Sequence, residues 1–168
     1  EGLSEDLFVG IKQTSVKKAV VAWNRTKAAQ QLVKELILTE RLDCDFAEAG
    51  SAYVGKTVAD RKQLETELRT RLTHGMTGTY VAGSVGCLFG RFTSALLNPA
   101  DAVLHPVKFV RGLAQAAEQY GALIYEETPA RTIQSQRVTT PHAIIEAKHI
   151  ILALESDTPS LGKTEGYF

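Results

Sequence analysis

The stretch over residues 105–125, HPVKFVRGLAQAAEQYGALIY, decides the fold class of this chain. Pro106 suits the first turn of a helix, because the amide hydrogen that proline lacks has no partner there anyway. Apolar residues then recur at helical spacing, and Gly121 follows as a C-terminal cap. The next residues, 122–125, form a short apolar run typical of a buried strand. The stretch therefore predicts a helix over 106–120 that leads into a strand.

After this strand the sequence predicts a β-meander and a further buried strand. Turn residues separate three short segments of strand-forming residues, at 131–134, 137–140 and 143–147. A near-continuous apolar run over 149–154 then predicts a strand buried on both faces. Helix, strand, meander and strand form a crossover on a mainly parallel sheet. Ligands of such sheets bind outside the carboxyl ends of the strands, here 126–131 and 153–157.

The residues before the crossover are predicted to be mostly helical. Apolar residues recur near helical spacing over 14–41, and Thr57 and Asp60 have the spacing of a capping box that starts a second helix. Strands are predicted at 42–46 and 50–55, and a short helix with an irregular loop over 80–104. Together the two parts predict an α+β fold.

Composition excludes several classes of protein. The chain has 168 residues, and its 19 basic residues balance 19 acidic ones, which argues against a dedicated nucleic-acid binder. No apolar run is long enough to span a membrane, and the acidic start has no signal-peptide layout. The two cysteines, Cys44 and Cys87, suggest a reducing compartment, so we expect a cytoplasmic protein.

Residue chemistry alone identifies no catalytic residue. The four histidines do not share the spacing of a metal site, so no metal ligand is predicted. Gly83, Gly86 and Gly90 do not form a phosphate-binding loop, because their spacing is wrong and no lysine follows. The serines have no nearby histidine and aspartate that suggest a nucleophilic triad.

Two stretches nevertheless resemble the D-amino-acid-oxidase-like family of FAD-dependent oxidoreductases, which includes glycine, sarcosine and gamma-glutamylputrescine oxidases. The stronger is LHPVKFVRGLAQAAEQYGALIYEET at 104–128, followed by RVTT at 137–140 and HIILA at 149–153. The weaker is LDCDF at 42–46 with Gly50 and the segment 64–75. The resemblance implies that the chain is an interior fragment of an enzyme that oxidises a small amine or amino acid by hydride transfer to FAD.

The resemblance also implies the domains and the cofactor contacts. Residues 1–104 are similar to part of the substrate-side domain, and residues 105–168 to part of the FAD-binding domain. Ala130 falls where the family usually has a valine whose backbone meets the adenine end of FAD. The cofactor-binding residues implied by the resemblance and the strand ends are Pro129, Ala130, Arg131, Ala153 and Leu154.

Departures from the family pattern define the alternatives. The chain contains no GxG, so we expect that by itself it holds FAD weakly or not at all and is inactive. Leu154-Glu155 stands where the family has Thr-Asn or Thr-Gly, which favours an alternative: a non-catalytic relative acting as a binding or interaction module. A helical interaction protein that resembles the family by chance is disfavoured by residues 105–154.

Overall fold

A computed structural model describes residues 6–83, 91–134 and 136–153. The chain divides into two compact units, which we call unit 1, up to Tyr120, and unit 2, from Gly121 onward. The described residues form the helices α1 (Leu7–Gln13), α2 (Val16–Thr39), α3 (Val58–Thr73) and α4 (Pro106–Gln119). They also form the strands β1 (Ser51–Gly55), β2 (Thr79–Ala82), β3 (Ser94–Asn98), β4 (Thr132–Gln134), β5 (Arg137–Thr139) and β6 (Ile144–Glu146). The predicted α+β class is confirmed.

Helices α3 and α4 begin at the residues that their cap signals predict. The Thr57 hydroxyl accepts a hydrogen bond from the Asp60 N–H, and the Asp60 carboxylate accepts from the Thr57 N–H, which completes the predicted capping box of α3. The backbone N–H groups of Thr57 and Lys56 hold the pKa of Asp60 below its usual value. Helix α4 has Pro106 at its start, and Gly121 follows its end at φ +89°. The two predicted long helices therefore exist as α2 and α4.

Unit 1 contains an antiparallel sheet in the order β1-β3-β2. The short helix predicted within 80–104 is wrong for the described residues, because β2 and β3 lie there, and the part of the prediction over 84–90 lies outside the described residues. Ser94, Ala95 and Leu96 of β3 are all buried, so this central strand lacks the alternation that identifies a half-buried strand in a sequence. The predicted strand at 42–46 is also wrong. Pairing near it is limited to one isolated bridge between Ala47 and Val103.

A buried ion pair joins the elements of unit 1. Arg71 Nε donates to Glu67 Oε1 over 2.6 Å, and both side chains are almost completely buried. The second Glu67 oxygen accepts from the Phe8 N–H at 3.2 Å, and Arg71 also donates to Asn98 Oδ1 at 2.7 Å. The guanidinium lies 4.6 Å from the ring centre of Trp23. The pair thus connects α1, α2, α3 and β3.

Helix α4 is held to the segment 42–45 of unit 1 by polar and steric contacts. The His105 N–H donates to the Cys44 carbonyl at 2.7 Å, and the His105 Nδ1 caps the helix by accepting from the Lys108 N–H. The Lys108 ammonium donates to Asp45 at 2.8 Å. This hydrogen bond lowers the pKa of Asp45 from its usual 3.8 and raises the pKa of Lys108 from its usual 10.5.

Unit 2 contains the predicted β-meander. Strands β4, β5 and β6 pair antiparallel in that order, with Val138 opposite both Ile133 and Ile145. The strands predicted on either side are wrong for the described residues, since 122–125 and 149–153 have no strand conformation. A strand exists through its ladder of hydrogen bonds, and these segments have no neighbouring strand among the described residues.

The two segments remain exposed. Leu123 and Ile151 keep 79% and 90% of their surface accessible. The assignment of 1–104 and 105–168 to two functional domains stays a prediction, because the units divide by packing alone. Among the described helices, none is both long and apolar enough to cross a membrane.

The buried ion pair yields a stability prediction. Arg71→Met leaves the Glu67 carboxylate buried without its partner, so we expect a loss of about 3–5 kcal/mol in the free energy of unfolding. Lys34→Met is the matched control, because Lys34 pairs with Glu48 at 2.7 Å on the surface. We expect about 1 kcal/mol or less for the control. Urea denaturation of the 168-residue chain measures both.

The double variant Glu67→Met/Arg71→Met tests whether the loss of stability comes from losing the ion pair or from leaving the Glu67 charge buried without a partner. We expect it to be more stable than Arg71→Met alone, because no charge stays buried without a partner. Equal losses for Arg71→Met and Lys34→Met would show that the buried pair does not hold unit 1 together.

The Asp45–Lys108 pair yields a pH prediction. The lowered pKa of Asp45 gives stability that is present above about pH 4 and lost as pH falls through the folded value. The raised pKa of Lys108 gives stability that is present below pH 10.5 and lost as pH rises through the folded value.

The difference in thermal midpoint between the unaltered chain and Lys108→Met should therefore be constant from about pH 5 to pH 9 and shrink outside that range. Lys17→Met, at an exposed position of α2, is the control variant. A flat difference for Lys108→Met down to about pH 2 would contradict the pairing.

Candidate functional site

The predicted cofactor residues Pro129, Ala130 and Arg131 form one extended segment that leads into β4 of unit 2. The Arg131 N–H donates to the Thr139 carbonyl at 2.7 Å, so this end of the segment is fixed by the meander. Pro129 and Arg131 are exposed, and Ala130 is half-buried. The structure therefore presents the three residues at the edge of a small, hydrogen-bonded sheet.

The turn before this segment has a constrained backbone. Glu127 has φ +51°, a left-handed conformation that L-residues other than glycine, asparagine and aspartate seldom adopt. The Thr128 hydroxyl donates to the Glu126 carbonyl at 2.8 Å and closes the turn. Thr128 precedes a proline, and this restricts it to extended conformations. The chain consequently leaves the turn in an extended path through Pro129.

Ala130 offers backbone hydrogen-bonding groups in this extended path. Within the described residues, neither its N–H nor its carbonyl has a hydrogen-bond partner. A partly buried backbone group without a partner is uncommon, because such groups are normally paired with protein or water. The Ala130 backbone can therefore donate one hydrogen bond to a ligand and accept another from it.

The other two predicted cofactor residues lie apart in the sequence. Ala153 is exposed and is the last residue described before Leu154, which lies outside the described residues. Across the described part of unit 2, no hydrogen bond joins Ala153 to residues 129–131. The structure thus brings three of the five residues together as neighbours in one segment, and all five assignments remain predictions.

No catalytic group is predicted, and the described residues contain no group of three or more His, Cys, Asp or Glu side chains that could hold a metal ion. Glu126 and Glu127 are exposed and follow one another in the turn. The chemistry that unit 2 offers is therefore recognition by backbone groups, with no assembled acid–base or metal centre in the part that the structure describes.

Sequence reasoning missed the polar cluster in unit 1. The predicted helix that starts after Thr57 includes Glu67 and Arg71, but the burial of these two side chains was not predicted. The signal was present in their spacing. Glu67 and Arg71 follow Leu64 by three and seven residues, which is the spacing of one helix face. The aromatic partner Trp23 lies 48 residues before Arg71, so this contact cannot be predicted from the spacing within the helix.

Comparisons with known proteins agree with this architecture. The sequence profile of the family described as FAD dependent oxidoreductase matches residues 11–166. No curated protein matches the chain. Among solved structures, glycine oxidase from Geobacillus kaustophilus superposes with a TM-score of 0.72 at 19% identity, over 86% of this chain and 41% of its own.

Two further structures superpose less completely. Glycine oxidase from Bacillus cereus ATCC 14579 gives a TM-score of 0.61 at 18% identity, over 70% of this chain and 35% of its own. L-proline dehydrogenase from P. horikoshii gives 0.59 at 17% identity, over 71% and 35%. At these identities the likeness establishes the fold, and the chain spans about two fifths or less of each of these structures.

Proposed function

The chain belongs to the FAD-dependent oxidoreductase family, and on this basis we propose that it is the interior part of an enzyme that oxidises the carbon–nitrogen bond of a small amine or amino acid. The family match over 11–166 is the observation that carries the proposal. The solved relatives support the substrate class, since they are named glycine oxidase and L-proline dehydrogenase. When bound, FAD supplies the redox chemistry by accepting a hydride from the carbon that bears the amine.

The backbone of Ala130 is the part of this chain that fits FAD best. The adenine ring presents a hydrogen-bond donor beside an acceptor along one edge, and the N–H and carbonyl of Ala130, which have no partner among the described residues, complement that pair. We therefore assign Pro129, Ala130 and Arg131 to the adenine end, with Ala153 and Leu154 as further contacts along the second segment.

The pyrophosphate must be held by another part of the intact protein. Its charge is normally neutralised by N–H groups at a helix start that follows a glycine-rich turn. This chain has no GxG anywhere in its 168 residues. Residues 121–153 therefore contribute adenine recognition, while charge neutralisation and placement of the reactive ring fall to residues outside this sequence.

A second function is favoured by one feature of the sequence. Leu154-Glu155 replaces the Thr-Asn or Thr-Gly of the family, so the intact protein could have kept the fold as a binding module without catalysis. The two functions differ in one observable property. The enzyme reduces its bound flavin with an amine substrate, whereas the module does not.

The intact protein that contains this chain tests the proposal. We expect it to purify with FAD and to lose the absorbance of oxidised flavin when mixed, without oxygen, with a member of a panel of amino acids and alkylamines. The matched 2-hydroxy acids should leave the flavin oxidised, because the proposed bond to be oxidised is carbon–nitrogen. Bound FAD that no amine reduces would support the module, and reduction by hydroxy acids alone would contradict the substrate class.

The 168-residue chain by itself gives the complementary result. Without pyrophosphate contacts, we expect a dissociation constant for FAD no tighter than about tens of micromolar, near −6 kcal/mol. It should also produce no hydrogen peroxide with the same panel, because small misplacements of the reacting groups cost large factors in rate. Flavin fluorescence measures the binding. Stoichiometric binding below about one micromolar would refute the view that the chain lacks the main flavin contacts.

A further inference from the structure

Unit 1 contains a cavity that the proposed flavin chemistry does not use. Its volume is about 330 Å³, within the lower range of small-molecule pockets. It lies between α2, the segment after α3 and the end of β3. Six of the side chains that line it are Trp23, Asn24, Lys27, Met76, Thr77 and Asn98.

The charge of the lining has one sign. Among the described residues that line the cavity, Lys27 is the only charged one, and none carries a carboxylate. Asn24, Thr77 and Asn98 add neutral groups that can donate hydrogen bonds. Trp23 and Met76 provide an apolar wall. A ligand that complements this lining carries a negative or hydrogen-bond-accepting head and an apolar body.

Two of the ion pairs of unit 1, Lys27–Asp101 and Glu67–Arg71, have their cation on the side of this cavity. Lys27 lines it and lies 3.5 Å from Asp101, a buried residue that does not line it. Arg71 contacts two lining residues, since it stacks on Trp23 and donates to Asn98, whereas its partner Glu67 is not part of the lining.

The positive ends of both pairs are therefore nearer to the cavity than the negative ends. Because partly buried charges are screened less than exposed ones, this orientation favours an anion.

The polar wall is held in position before a ligand arrives. Asn98 accepts from Arg71 at 2.7 Å through Oδ1 and donates to Ser51 at 3.1 Å through Nδ2. Trp23 is only 6% exposed, and its ring is held by the Arg71 guanidinium, which lies 4.6 Å from the ring centre. A preorganised wall improves affinity, since fewer side chains must be ordered on binding.

We infer that this cavity binds a small organic carboxylate, with the carboxylate on the Lys27 ammonium and the apolar body against Trp23 and Met76. The inference is independent of the proposed oxidation. It concerns residues of unit 1 alone, and neither FAD nor residues 129–131 take part in it.

The sequence supplies a reporter for this site. Trp23 is the only tryptophan of the 168 residues, so tryptophan fluorescence of the chain reports on the cavity wall. Phenylacetate is the test ligand, with phenylacetamide as its neutral analogue and 2-phenylethylamine as its cationic one. We expect a saturable fluorescence change with phenylacetate at a dissociation constant of about a millimolar or tighter. The amide should bind about tenfold more weakly, and the amine should not saturate.

Two lysine variants locate the charge. Lys27→Met keeps the length of the side chain but removes the ammonium, and it should weaken phenylacetate about tenfold while leaving phenylacetamide unchanged. Lys17→Met, on the same helix but outside the cavity lining, should bind phenylacetate as the unaltered chain does. Thermal melts establish that each variant is folded.

If Lys27→Met does not fold, the affinities of the unaltered chain for the three ligands still test the inference. Absence of a saturable change with phenylacetate, or equal affinities for the acid, the amide and the amine, would overturn the inference. Equal affinity of a folded Lys27→Met variant for phenylacetate would also overturn it, because the head group would then not contact Lys27.

Discussion

Unit 1 depends on the ion pair between Glu67 and Arg71. Removing these charges from water costs several kcal/mol for each ion, and a close geometry with additional hydrogen bonds is needed to offset that cost. The structure supplies those bonds from elements that are distant in the sequence: a backbone N–H of α1, an amide of β3 and an indole ring of α2. The arrangement of three helices around one sheet therefore follows from satisfying two side chains of α3.

Unit 2 obeys a different constraint, which is the pairing of backbone groups. The strands of the meander supply hydrogen-bond partners for one another, since β5 pairs with β4 on one side and with β6 on the other. The apolar segments 122–125 and 149–153 have no such neighbours among the described residues, and Leu123 and Ile151 stay exposed. The backbone groups of Ala130 likewise have no partner among the described residues, so this extended segment beside a small sheet retains groups that a ligand can use.

The sequence was most informative where a structure is specified locally. The capping box at Thr57 and Asp60, and the proline and glycine that bound α4, predict helices from a few neighbouring residues. It was least informative where partners are distant. The first three residues of β3 are all buried, so no alternation identifies this strand, and the burial of Arg71 depends on Trp23 and Asn98, which lie 48 and 27 residues away.

The candidate site, too, was predicted from the sequence only in part. Residue chemistry alone did not identify Pro129, Ala130 and Arg131; the strand-end rule and the resemblance to the family did. The structure then adds what neither could provide, namely which backbone groups of this segment have no partner. Leu154 was predicted on the same grounds, and its geometry lies outside the described residues.

The most direct test of the account is the affinity of the intact protein for FAD when a single N–H is removed at Ala130. Ala130→Pro deletes this donor, whereas Ala130→Val keeps it and installs the residue that the family usually has. The account predicts about tenfold weaker binding for Ala130→Pro and unchanged binding for Ala130→Val, as expected for the loss of one hydrogen bond. Equal affinities in two folded variants would contradict the placement of this segment against the cofactor.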